Sequence, residues 1–153
     1  MDFDESIVTF YKPVADRAGL ELQKLRSGIY QIAGASFILR LRQGIGHKKD
    51  LLVTMAPMTT SPRDLDDLSG EIGLPLVVEY NGVEVPHEDI SSTVGFYSNP
   101  QRVADAIEQF CIPYLLGRKT DFDELRSFVD RKIDAAAWKP PYNFPPNVRE
   151  EWL

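Results

Sequence analysis

The chain is poor in the residues that carry most metal and nucleophile chemistry. Its 153 residues include one cysteine, Cys111, and two histidines, His47 and His87. A single thiol cannot close an internal disulfide, which points to a reducing compartment, the cytoplasm by default. The two histidines lie far apart and outside any HExxH pattern, so a structural zinc site would lack soft ligands. A cysteine nucleophile needs a histidine beside it. Cys111 falls instead on the apolar stripe of a helix, where a buried, inert thiol is expected. No serine occupies a G-x-S-x-G elbow. These absences predict a non-catalytic chain with no metal ligand and no cofactor. No apolar run approaches the roughly 18–20 residues that span a bilayer. The opening MDFDESIVTF has neither a basic n-region nor a long apolar h-region, so no signal peptide and no membrane partner are expected.

What is present is an ordinary globular composition, 43% hydrophobic and 26% charged. The length predicts one domain, over residues 1–138, able to bury a core without a metal or disulfide. The remainder, 139–153, holds four prolines and reads as an extended tail, with Tyr142, Phe144 and Trp152 as candidate anchors. The net charge of −6 is unevenly spread. Residues 1–60 hold 8 Lys/Arg against 6 Asp/Glu, a net of +2, and residues 61–153 hold 9 against 17, a net of −8. Such a surface repels phosphate backbones and excludes non-specific nucleic-acid binding, while favouring a basic protein partner.

Phe3, Ile7, Phe10, Val14 and Ala18 recur at spacings of three and four, which predicts a helix over 3–18 capped by Asp2 or Asp4 and stopped at Gly19. Pro13 conflicts with it, by kinking the helix or by opening a shorter one. Residues 20–26 read as a first strand or as part of the helix exit, and a strand is expected around Tyr30 and Ile32, with Gly34 and Ala35 at a turn or bulge. Phe37, Leu39 and Leu41, then Leu51, Val53 and Met55, alternate as the buried face of an antiparallel hairpin whose other face is mainly solvated. A short helix is expected over 62–70. Residues 75–80 (PLVVEY) read as a strand, Asn81-Gly82 as a hairpin turn and Val83–Val85 as the return, with a further strand within 90–97. Two helices follow. The first carries Val103, Ile107, Phe110, Cys111, Tyr114 and Leu115 inward, is bent or ended early by Pro113, and stops at Gly117. The second opens on a capping pattern of Asp121 and Glu124 and turns Phe122, Leu125, Phe128, Val129, Ile133 and Ala136 inward. No internal repeat is visible. The fold class is α+β: an antiparallel sheet of about five to six strands with the N-terminal and two C-terminal helices on one face.

Two charged groups stand out. The loop GIGHKK with Arg40 and Arg42 on the outer strand face forms a basic patch, a candidate anion contact made of Arg40, Arg42, Lys48 and Lys49. It lacks the spacing and the following helix of a phosphate loop, and glycines are equally expected in a hairpin loop. The acidic positions Asp64, Asp66, Asp67 and Glu71, with Glu84, Glu88 and Asp89 around His87, match neither an EF-hand nor a glycosidase pattern. They read as a solvated acidic face or as a docking face for a basic partner.

The segments IYQIAGASFILRLRQG, HKKDLLVTMAP and ADAIEQFCIPYLLGRKTDFDELRSFVDRK resemble, in layout, small bacterial α+β domains of unassigned function, among them immunity proteins for polymorphic toxins. The resemblance spans residues 28–58 and 100–132 and implies a cytoplasmic protein that neutralises a cognate toxin. It carries no functional residue over. The chain is also similar to type III secretion chaperones, small acidic α+β dimers, although the proline-rich tail and two-helix end depart from them. A small-molecule-binding domain or enzyme with a pocket between sheet and helices is the third expectation.

Overall fold

The structure, a computed structural model of the chain, describes residues 2–44, 50–58, 70–83, 94–95 and 100–135. The tail expected over 139–153, the loop lysines and the short helix expected over 62–70 therefore lie outside the described residues, apart from Gly70. The Asp2 carboxylate accepts the Glu5 N–H at 2.8 Å and starts the first helical run. The run has three parts: α1 (Phe3–Ser6), a π-helical turn (Ile7–Tyr11) and α2 (Lys12–Ala18). Pro13 explains the division. It has no N–H, and inside an α-helix its ring would crowd the carbonyl four residues back. One wide turn removes the conflict. The Lys12 N–H reaches back five residues to the Ile7 carbonyl, and Pro13 falls in the first turn of α2, where no N–H is needed.

The same device recurs in the second run, α4 (Pro100–Ala106), a π-turn (Ile107–Cys111) and α5 (Ile112–Leu115). The Ile112 N–H bonds the Ile107 carbonyl, and Pro113 lies in the first turn of α5. Both runs carry Ile-x-x-Phe-x-x-Pro, at Ile7, Phe10 and Pro13 and at Ile107, Phe110 and Pro113. Pro113 thus does not end its helix, which runs on to Leu115. Tyr11 Oη donates to the Pro100 carbonyl at 3.4 Å and Arg17 Nε to Glu108 Oε2 at 2.7 Å, so the two runs lie side by side in the same sense.

The strands are β1 (Leu22–Arg26), β2 (Ile29–Ala33), β3 (Phe37–Gln43), β4 (Asp50–Pro57), β5 (Ile72–Gly73) and β6 (Val94–Gly95). They form one antiparallel sheet in the order β1-β2-β3-β4-β5, with β6 pairing β4 beside Asp50 and Leu51. Leu39 lies opposite Met55 and Leu41 opposite Val53, as the alternation predicts. One sheet face, with Tyr30, Ile32, Leu39, Leu41, Leu51, Val53, Met55 and Ile72, packs against Ile7, Tyr11, Val14, Ile107, Tyr114, Leu125 and Val129 in a single core. The molecule is α+β with its helices on that face; the last, α6 (Phe122–Ala135), follows α5.

One expected strand is a helix. Residues Leu74–Tyr80 form α3, with Leu74, Val77 and Val78 buried. An apolar run this short carries no period that separates strand from helix, and here contact with the π-turn of the second run and with α6 decides. The expected Asn81-Gly82 hairpin turn is the end of that helix. Gly82, at φ +83°, donates to the Glu79 carbonyl and Val83 N–H to that of Val78, a Schellman closure. Val83 is consequently not in a strand.

Gly34 has a different reason. A Cβ there would sit 2.2 Å from the Leu115 carbonyl oxygen, because the β2–β3 turn presses on the end of α5, where Ala35 N–H also donates to Leu115. Gly34→Ala is expected to destabilise the fold by about 1–3 kcal/mol through forced backbone displacement, measured by urea unfolding against wild type.

Candidate functional site

Alternation on β3 and β4 sends Ile38, Arg40, Arg42, Thr54 and Ala56 to the face away from the helices. That face was expected to be solvated. It is buried: Arg40 is 5% exposed, Arg42 6% and Thr54 5%, with Ile29, Ile38 and Ala56 beside them. Arg40 and Arg42 are therefore not part of an open basic patch. Strand alternation predicts which face a side chain takes, but not whether a distant segment covers that face.

The burial is matched by pairing at one of the two guanidiniums. Arg42 Nη1 and Nη2 donate to Glu71 Oε1 and Oε2 at 2.9 and 3.0 Å, a two-pronged pair. Nη1 also donates to Thr54 Oγ1 at 3.0 Å, and that hydroxyl donates to Glu71 Oε1 at 2.6 Å. Thr54 is two residues beyond Leu52, the register partner of Arg42, so the contact is the diagonal one that long side chains make across a sheet. Glu71 immediately precedes β5. It was expected in an acidic docking face and is instead a buried ion-pair partner, its side chain 3% exposed. Its neighbours in that expectation, Asp64, Asp66, Asp67, Glu84, Glu88 and Asp89, lie outside the described residues, as do Lys48, Lys49, His47 and His87.

Arg40 is treated differently. Its Nε donates to Gln31 Oε1 at 3.2 Å, a neutral oxygen, while its Nη1 is buried with no hydrogen-bond partner. Burial depresses its affinity for its proton, partly offset by the nearby Glu71 charge and reinforced by Arg42. Sequence reasoning missed Gln31 and Thr54. The signal was the strand register, which places Gln31, Arg40 and Thr54 in one cross-strand row.

A second polar cluster is closed on itself. The Asp121 carboxylate accepts from Tyr114 Oη at 2.7 Å and Tyr80 Oη at 2.9 Å, and Lys119 Nζ lies 3.5 Å away. Lys119 also donates to Asn81 Oδ1 at 2.6 Å and lies over the Tyr80 and Tyr114 rings. This cluster ties the end of α3 to α5 and to the start of α6. Burial pulls the Asp121 carboxyl up, but the two tyrosine hydroxyls and the Lys119 charge outweigh it and hold it below the usual carboxylate range. Cys111 is fully buried, and burial pushes its thiol up to about 12, so it is not a nucleophile at neutral pH. Among the described residues no group of His, Cys, Asp and Glu could hold a metal ion, and no helix is long and apolar enough to cross a membrane. No protein-family model, curated protein or solved structure matches the chain.

Glu71→Ala would take a two-pronged charged partner from the buried Arg42, and is expected to cost about 3–5 kcal/mol in urea unfolding. The double variant Arg42→Met/Glu71→Leu should lose less than the single one, because no uncompensated charge remains. For Asp121 the folded carboxyl is the stronger acid. It lends stability that is present above its unfolded pKa and lost as pH falls through the folded one. Unfolding measured across pH should therefore show a decline below about pH 4. Asp121→Asn should be less stable at pH 7 and decline less steeply in acid.

Proposed function

We propose that the chain is a non-catalytic protein-binding domain of the immunity type, which neutralises a basic toxin by covering it with acidic surface. The observation that carries this reading is the charge asymmetry, a net of −8 over residues 61–153. The exposure of Asp123, Glu124 and Asp130 on α6 supports it, as does that of Asp105 on α4, whose carboxylate accepts from Gln101 at 2.8 Å. With Glu71 committed to Arg42, the acidic segments left for recognition are Asp64, Asp66 and Asp67, together with Glu84, Glu88 and Asp89. Opposed charge steers encounter and fixes partner choice more than it adds raw affinity.

Pull-down with the proteins encoded beside this chain tests the reading. A basic toxin captured stoichiometrically and inhibited is the expected result, with association slowing as salt rises. Reversal of Asp64, Asp66 and Asp67 to lysine should weaken that complex by about tenfold or more, chiefly through a slower association rate. Unchanged affinity would move the docking face elsewhere. Capture of a secreted effector's N-terminal segment by a two-fold dimer would replace the immunity reading with the chaperone one.

A further inference from the structure

The polar sheet face holds two buried guanidiniums and, among the described residues, one carboxylate, Glu71, bonded to Arg42 and not to Arg40. Arg42 takes both oxygens of Glu71, and Thr54 takes Oε1 as well, so this carboxylate has no oxygen uncommitted. Arg40 is left with the neutral Gln31 oxygen on Nε and a buried Nη1 that bonds to nothing. A buried cation without a counter-charge is costly, and an arginine cannot escape by giving up its proton. The row across the sheet is also graded in exposure. Gln23 on β1 is exposed, Gln31 on β2 is half-buried, and Arg40 and Thr54 are buried. The bond from Nε to Gln31 holds one edge of the guanidinium against β2, on the more exposed side of that row. Gln31 spends its oxygen on Arg40, which leaves its amide nitrogen as a second donor beside the same guanidinium.

From the free donor, the unmatched charge and the graded row, we propose that Arg40 and Gln31 form a binding site for one small oxyanion, a carboxylate or a phosphate, entering from the β1–β2 side. The guanidinium fork suits both, since each presents oxygens spaced for paired N–H donors. The proposal does not depend on the toxin-binding reading.

The test uses the full chain in a chloride buffer of fixed ionic strength, titrated with inorganic phosphate and separately with acetate, by calorimetry and thermal unfolding. Saturable binding of one anion per chain, with a rise in Tm that equal chloride does not give, is the expected result. A response to phosphate alone assigns a phosphate ligand, and a response to acetate alone a carboxylate. Arg40→Met should abolish the response, and Arg40→Lys, which keeps the charge but not the fork, should weaken it by about tenfold or more. Gln31→Leu should weaken it too, and gives the answer should Arg40→Met fail to fold. No saturable response to either anion, or a response that survives in Arg40→Met or is unchanged in Gln31→Leu, would overturn the proposal.

Discussion

A guanidinium cannot be buried cheaply without a matching acceptor, and strand β3 buries two. Arg42 obtains its match from Glu71, 29 residues away in sequence. That pair does more than neutralise charge. Glu71 stands at the start of β5, so fastening it to Arg42 and Thr54 pins β5 against β4, where Ile72 lies opposite Met55. Gly73 then opens α3, and α3 packs on the π-turn of the second helical run and on α6. The position of the helix that closes one end of the core is thus tied to an ion pair on the opposite side of the sheet. Removing one partner of such a pair is far more damaging than never having built it.

The helical layer solves a different problem in the same way twice. Prolines at 13 and 113 would break an α-helix, and in each run one π-turn places the proline where its missing N–H costs nothing. Ile7, Tyr11, Ile107 and Cys111, which bound these two turns, are all fully buried. Each wider turn therefore points its end residues into the core, while Val8, Thr9 and Gln109 between them stay exposed. Asp121, with Tyr80, Tyr114 and Lys119, joins the ends of three helices into one polar knot in which every named group has a partner.

Among the described residues two buried side-chain polar atoms lack a hydrogen-bond partner, the neutral Ser6 Oγ and the charged Arg40 Nη1. The Arg42 and Asp121 clusters are closed networks, which rigidify a fold and offer little to a ligand. Cys111 is sealed. Arg40 differs, because its burial comes without a counter-ion among the described residues. The exposed carboxylates of α4 and α6 and the buried Arg40 guanidinium lie on different elements and need not serve the same partner.

Much of the architecture was legible in the sequence because it rests on local rules. The alternation of Phe37, Leu39, Leu41, Leu51, Val53 and Met55 placed the hairpin and its core face, and the spacing of apolar residues placed both helical runs with their ends at Gly19 and Gly117. The error at PLVVEY came from a segment too short for its period to speak; contact with two other helices made it helical, and that in turn made Asn81-Gly82 a helix end. The site was less legible. Alternation assigned Arg40 and Arg42 to one face, but whether that face meets water depends on segments remote in sequence, and a carboxylate such as Glu71 looks the same in a row of acids whether it will be solvated or buried. The sequence by itself determined the strand pattern, the helical stripes and the charge asymmetry, since each depends on neighbours within a few residues. Only the tertiary structure decided which charges are paired, which face is covered, and that Arg40 alone of the two guanidiniums keeps a buried donor without a partner.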